Sequence, residues 1–374
     1  MGYRISGLGA LSALGESVGE HCDAIIAGKE AFRPLGELIS CKAAEVPASW
    51  IPARAALSHR KWSPASMAAL HVARQAIAAA GWGAEELRDA VLLFGTSRGG
   101  LAGWLEPWPG RRGFPVMEVS NSMHGEGAAA VSIELGIGGA YQVISTGCSA
   151  GLDALGMAMM HVQCGMAQRA LVVAVDLPLV AGLMDSYHAA GILSRNGMND
   201  PYHPQTGGIF PAEAAAAMAL ELSDRSGRVE LLGYRANSDA KDALALAPGT
   251  GQLVALLRQA RQEWGDPVAI CPHATGTASH ARAEPSCLRD ACDGLRPSLH
   301  LLKPYLGHGI GAGSLLETVI LCDFMQRGQL PPNRASLHVP DGFVLPDQVT
   351  EVQGTVWKVA ASLGGHNAVV ALRR

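Results

Sequence analysis

Cys148 stands in the run STGCSAG (145–151), where small neighbours leave a thiol sterically open. The residues that follow, LDALGMAMMHV, read as a buried helix. A thiol at a helix start meets the positive end of the dipole and unpaired N–H groups, and both favour the thiolate. Cys148 is therefore the candidate nucleophile. The remaining cysteines, at 22, 41, 164, 271, 287, 292 and 322, form no CxxC pair and read as small core residues. That spacing argues against a zinc knuckle, so no metal site is expected.

Two histidines stand in similar surroundings. His273 opens HATGTASHARAE after the strand-like PVAIC, with Thr275 and Thr277 beside it on the same loop. His308 lies in KPYLGHGIGAGSLLE, where Gly and Ala leave room next to the ring. Lys303 precedes it by five residues inside an apolar run, in a chain with only six lysines.

One reaction uses all of these groups. A thiolate takes an acyl group from a thioester. A second thioester becomes a carbanion by losing CO2, and the enolate oxygen left behind needs hydrogen-bond donors. Two imidazoles aimed at that oxygen supply them, as an oxyanion hole does. The enolate then attacks the acyl-cysteine. The oxyanion of that step needs backbone N–H groups, which SLGGHN (362–367) and Cys148 itself offer.

Such residues need a scaffold that brings distant turns together. RALVVAVDL (169–177), DAVLLFGTS (89–97) and SLHLLKPYLG (298–307) read as buried strands. The segments 66–81 and 251–265 read as amphipathic helices closed by Gly. The end, TVWKVAASLGGHNAVVALRR, reads as strand, Gly-Gly turn, strand. This is an α/β pattern. The segment 142–160 has strand, turn and helix with Cys148 at the turn, and 300–321 repeats the plan with His308 there. The repeat suggests a duplicated fold with a shared central site. LPPNRASLHVPDG (330–342) reads as the exposed loop.

The 374 residues are 48% hydrophobic, enough for one large core or two fused halves. A net charge of −4 with both signs interspersed gives no basic field for nucleic acid. The N-terminus lacks the pattern of a signal peptide. The apolar stretch 170–184 is interrupted by Asp176 and Pro178, so no membrane span and a cytoplasmic location are expected. Neither GTSRGG nor GIGAG matches a phosphate loop with its lysine.

GCSAG, HATGT, KPYLGH and LGGHN occur in the order and at about the intervals found in β-ketoacyl synthases, which the chain resembles over nearly its whole length. ISGLGALSALGES (5–17), GTSRGGL (95–101) and GGIFPAEAAAAMALE (207–221) add to the match. The resemblance implies a duplicated thiolase-like five-layer αβαβα fold, with halves at 1–225 and 226–374. It places Cys148 on the nucleophile and His273 and His308 on the paired histidines that handle malonyl decarboxylation. Lys303 falls on the lysine before the second histidine, and Glu317 on its acidic partner. Thr275 and Thr277 fall on hydroxyls that contact the pantetheine arm. The Cys-His-His set matches the elongating class rather than thiolases or chain-initiating synthases. Substrates then arrive on the phosphopantetheine of an acyl carrier protein, and no other cofactor is expected. The protein is expected to be a homodimer, or a heterodimer with a second ketosynthase-like subunit. Arg60 and Lys61 are candidates for carrier docking.

Several positions depart from the family pattern. Leu363 stands where the family has a gatekeeper phenylalanine, and His366 where it has threonine. Ala281 replaces an acidic residue, and 194–208 is short. These changes bear on acyl chain and pathway, and point to a specialised fatty-acid- or polyketide-type route. Two other readings compete: a non-catalytic partner akin to a chain-length factor, and an acyltransferase without decarboxylation. Retention of Cys148, His273, His308 and Lys303 favours the synthase.

Overall fold

Strands buried on both faces build the centre of the protein. In Arg169–Asp176, Ala170, Val172 and Ala174 join one core cluster while Leu171, Val173 and Val175 join another. The alternation is the two-residue period of a strand. The computed structural model describes residues 2–101, 123–223, 227–241 and 251–374. Within them, ten strands are linked: β1 (Gly2–Ser12), β2 (Val91–Gly95), β3 (Tyr141–Ile144), β4 (Arg169–Asp176), β5 (Ala214–Ser223), β6 (Glu230–Ser238), β7 (Pro267–Cys271), β8 (Ser298–Leu299), β9 (Thr355–Ala361) and β10 (His366–Arg373).

Their order is β8-β7-β9-β10-β6-β1-β5-β4-β2-β3. Reading outward from the centre, one half runs β1-β5-β4-β2-β3 and the other β6-β10-β9-β7-β8, so equivalent strands lie five places apart. The sense of pairing repeats as well. The outer three strands of each half are parallel, and the inner pairings antiparallel. The halves meet where Tyr3 faces Leu231 and Arg4 faces Glu230. The duplication suggested by two short segments thus extends to the whole sheet. Residues 224–226, where the sequence division falls, lie outside the described residues, as does Met1.

Three core clusters define the layers. The helices α1 (Pro64–Ala80) and α2 (Glu126–Leu135) cover the outer face of the first half. Helices α4 (Gly251–Trp264) and α5 (Ala278–Cys292) cover that of the second. Between the halves lie α3 (Ala150–Gln163) and α6 (Ile310–Gln326), which share the central cluster. This is the five-layer αβαβα arrangement. The two central helices touch closely: a Cβ on Gly151 would sit 2.8 Å from Leu315 Cβ and 2.9 Å from the Gly311 carbonyl. Helix α1 closes at Gly81 (φ 69°) as its sequence predicts, but starts at Pro64, two residues before the expected start, with the Ser63 side chain accepting from the Ser66 N–H.

Two expectations fail. The run 298–307 is a strand for only two residues, after which Lys303–Leu306 forms a helical turn. The run is buried on all sides, so its apolar character carries no period, and Pro304 starts the turn. The segment 330–342 is irregular, but Leu330 to Asn333 are buried. Asn333 accepts the Leu301 N–H at 2.7 Å and donates to Leu299 O at 2.8 Å, tying the segment down beside the turn. No described helix is long and apolar enough to cross a membrane.

Candidate active site

Cys148 sits in a single 3-10 turn, Gly147–Ser149, between β3 and α3. Gly147 takes φ 68°, a conformation that suits glycine. The Cys148 sulfur lies 3.3 Å from Nε2 of His308, and the Leu363 N–H is directed at it. The expectation of a thiolate does not hold for the free site. Burial pushes the thiol up to about 11, against the opposing pull of Lys303 and Arg98. Desolvation outweighs the helix start because the sulfur is enclosed and α3 begins only after the 3-10 turn.

Both predicted histidines converge on this thiol. Cys148 Sγ and the nearest nitrogens of His273 and His308 all lie within 4.8 Å of one another. The imidazoles meet edge to face, with centroids 5.5 Å apart. Burial, then the Lys303 charge, holds both well below the usual histidine range, so both rings are neutral. A neutral imidazole can present one N–H to a nearby oxygen. Nδ1 of His308 is buried and has no hydrogen-bond partner among the described residues. The same three side chains are the one described group whose spacing suits a soft metal ion.

Lys303 and Glu317 form a buried ion pair at 2.7 Å behind the histidines. A second lysine, Lys358, reaches the other Glu317 oxygen at 2.5 Å and is fully buried. Sequence reasoning missed Lys358, although it carries the signal that singled out Lys303: a lysine within an apolar strand. Glu284 was missed as well. It accepts the N–H groups of His273 at 2.7 Å and Ala274 at 2.8 Å, and the Tyr202 hydroxyl at 3.0 Å. Asp176 accepts N–H groups from Ser97 and Arg98 of the first half and from Gly311 and Ala312 of the second.

A cavity of about 230 Å³ opens onto the thiol. Thr275 and Thr277 line it with their hydroxyls 3.4 Å apart, and Leu363, 41% exposed, stands at its edge. His280 lines it too, with its ring 5.0 Å from that of His273.

Family models for the β-ketoacyl synthase N-terminal and C-terminal domains match residues 4–225 and 228–336. The chain belongs to the β-ketoacyl synthase family, whose members are acyltransferases. It is 28% identical over 268 residues to the tetracenomycin polyketide synthase ketoacyl synthase alpha subunit of Streptomyces glaucescens, an alignment covering 65% of this chain and 62% of that protein. It is 26% identical to nodulation protein E of a Rhizobium strain, over 83% of this chain and 82% of that one. Among solved structures it is similar to a type II polyketide ketosynthase in complex with its acyl carrier protein, with a TM-score of 0.85 and 22% identity over 100% and 99% of the chains. That likeness shows the thiolase-like fold.

In this synthase-family chain the surface pair Arg60 and Lys61, the candidates for carrier docking, precedes α1. Lys61 reaches Glu134 at 3.2 Å and lies over the Trp62 ring, while Arg60 is exposed. His366, one of the departures from the family pattern, stands 2.9 Å from the buried Asp153.

Proposed function

We propose that the protein is a decarboxylating β-ketoacyl synthase that loads an acyl chain onto Cys148 and extends it with a malonyl unit, both brought by an acyl carrier protein. The observation that carries this reading is the meeting of Cys148, His273 and His308 at the floor of a cavity walled by Thr275 and Thr277.

The Cys148 sulfur attacks the acyl thioester as its proton passes to His308 Nε2. The tetrahedral oxygen takes hydrogen bonds from the N–H groups of Leu363 and Cys148. The carbon–sulfur bond to pantetheine breaks, and the leaving sulfur receives the proton from His308. The malonyl thioester then enters with its carbonyl oxygen toward the two imidazoles. The bond to the carboxylate breaks, CO2 departs, and the electron pair moves onto that oxygen as an enolate. Neutral rings donate to it without a buried positive charge, His308 having first exchanged its proton with solvent onto the nitrogen that faces the oxygen. The enolate carbon attacks the acyl carbonyl, and Cys148 leaves as thiolate and takes a proton from solvent to return to the thiol. Burial, and then the charge of Lys303 held by Glu317, keeps both histidines neutral.

On this reading the halves 1–225 and 226–374 divide the work, the nucleophile in one and both histidines in the other. No cofactor beyond the carrier's phosphopantetheine is needed. The protein acts in the cytoplasm as a dimer, in a fatty-acid- or polyketide-type pathway. The test is incubation with acyl carrier protein, with and without the malonyl form, followed by intact and peptide mass measurement. Acyl mass on the Cys148 peptide, and a 3-ketoacyl product only when malonyl carrier is present, supports the synthase. Neither event across a broad chain panel, with the protein folded, overturns it in favour of a chain-length-factor-like partner. Acyl transfer that never needs malonyl carrier supports a non-decarboxylating acyltransferase.

A further inference from the structure

The turn that offers the Leu363 N–H to the nucleophile is Ser362 to His366, the link between β9 and β10. Its middle is Gly364 and Gly365, both at positive φ, so no side chain anchors it there. Its two ends are anchored instead, and both lead to one carboxylate. At one end the Ser362 hydroxyl accepts the Ser149 N–H at 2.8 Å and donates to Ser149 Oγ at 3.0 Å. Ser149 Oγ in turn donates to Asp153 Oδ2 at 2.8 Å. At the other end His366 Nε2 stands 2.9 Å from the same Asp153 oxygen. The turn closes through Ser362 N–H to His366 O at 2.8 Å.

Asp153 is the residue one helical turn beyond Ser149 on α3, and is buried. Thr146 donates to it from the other side of the nucleophile, and Tyr234 donates from β6 at 2.8 Å. The carboxylate thus gathers the flanks of Cys148 and both ends of the oxyanion turn. His366 is its only cationic partner among the described residues. Another acid, Asp239, bonds the turn through its N–H to Gly365 O at 2.8 Å, while its carboxylate accepts from Asn367 at 3.1 Å.

We propose that Asp153 and His366 form a positioning pair that holds the Leu363 N–H against Cys148, so that acyl loading is faster with His366 as imidazolium. The inference rests on the synthase reading above. The Asp153 carboxylate holds His366 above the usual histidine range against burial; Asp153, despite burial, lies below the usual carboxylate range through His366, Thr146 and Tyr234. The pair's contribution is complete below the ordinary histidine value and is lost as pH rises through the elevated one.

The test compares acyl loading of Cys148 by intact mass in wild type and His366→Thr across pH. The ratio cancels the titration of the thiol itself. Wild type is expected to lead by roughly tenfold near about pH 6, the effect of about one pKa unit of ion-pair interaction, and to fall level by about pH 9. Asp153→Asn should remove the same pH-dependent lead, and the double variant should show no further loss of it. A wild-type lead that is constant with pH, or one that survives in Asp153→Asn, overturns the pair while leaving the synthase intact. A second readout does not need turnover: the melting temperature of wild type minus that of His366→Thr should shrink from the lower to the higher pH. Folded wild type that takes no acyl group at any pH overturns the synthase reading, and this inference with it.

Discussion

The sulfur of Cys148 and Nε2 of His308 stand 3.3 Å apart although 160 residues separate them in the chain. Each sits just ahead of a central helix, Cys148 in the turn after β3 and His308 after the helical turn that follows β8, one in each half of the duplicated sheet. The contact accompanies close packing of α3 on α6 at Gly151, where a Cβ would meet Leu315 and the Gly311 carbonyl. Gly151→Leu should therefore disrupt the site as well as the core. Overpacking of this kind typically costs ~1–3 kcal/mol. A lower melting temperature together with lost Cys148 acylation is the expected result.

On the proposed mechanism His273 and His308 both donate to the enolate oxygen, and His308, 3.3 Å from the thiol, also serves the loading step. Replacing His273 with Ala should lower malonyl decarboxylation by ~10²–10³, the usual effect of removing one oxyanion donor, while Cys148 still accepts an acyl group. Replacing His308 should slow both steps, since its Nε2 also contacts the thiol. The two steps are separable by CO2 release and by intact mass. Equal losses of both steps in the His273 variant would contradict this division.

The free thiol is held up to about 11 by burial. Its alkylation by iodoacetamide should therefore rise roughly tenfold per pH unit from about pH 7 towards that value, because only the thiolate reacts. In the unfolded chain the same thiol, relieved of burial, should react faster at neutral pH. Mapping the alkylated peptide against pH checks both. A plateau reached near neutrality in the folded protein would contradict the burial argument.

Glu317 balances two buried ammonium groups, Lys303 at 2.7 Å and Lys358 at 2.5 Å. Glu317→Ala leaves both without their carboxylate, and breaking a buried pair by removing one partner costs ~3–5 kcal/mol. The lysines hold Glu317 below the usual carboxylate range, despite burial. Its contribution to stability is present above the unfolded carboxylate value and is lost as pH falls through the depressed folded one. Denaturant unfolding should show the wild-type advantage over Glu317→Ala shrinking in acid.

The chemistry of this site was legible in the sequence to the extent that it rests on small-residue turns. GCSAG and KPYLGH announce open space beside a reactive group, and the positions of Cys148 and His308 follow from that. The supporting residues were not legible, since they act across the fold. Lys358 carries the same signal as Lys303, a charge in an apolar strand, yet only the three-dimensional structure shows one carboxylate serving both. Asp176 was noticed as an interruption in an apolar run, without its role of joining the loop after β2 to the start of α6. The helical turn at Lys303–Leu306 escaped because a segment buried all round has no amphipathic period to read.

Glu284 offers the clearest separation of positioning from chemistry. It lies nearly two turns into α5, does not itself line the cavity, and fixes the loop by accepting the His273 and Ala274 N–H groups. Ala274 there takes φ 45°, a left-handed conformation that costs a non-glycine residue energy and needs such support. Glu284→Gln keeps the size and one acceptor oxygen but loses the charge, and charge-assisted bonds are about twice as strong as neutral ones. His273 should then be held less firmly at the enolate oxygen. Decarboxylation should fall, with kcat for condensation falling in step, while acyl loading of Cys148 and the KM for acyl carrier stay near wild type. A variant that loses loading and decarboxylation together would show that Glu284 supports the whole cavity wall rather than His273 alone.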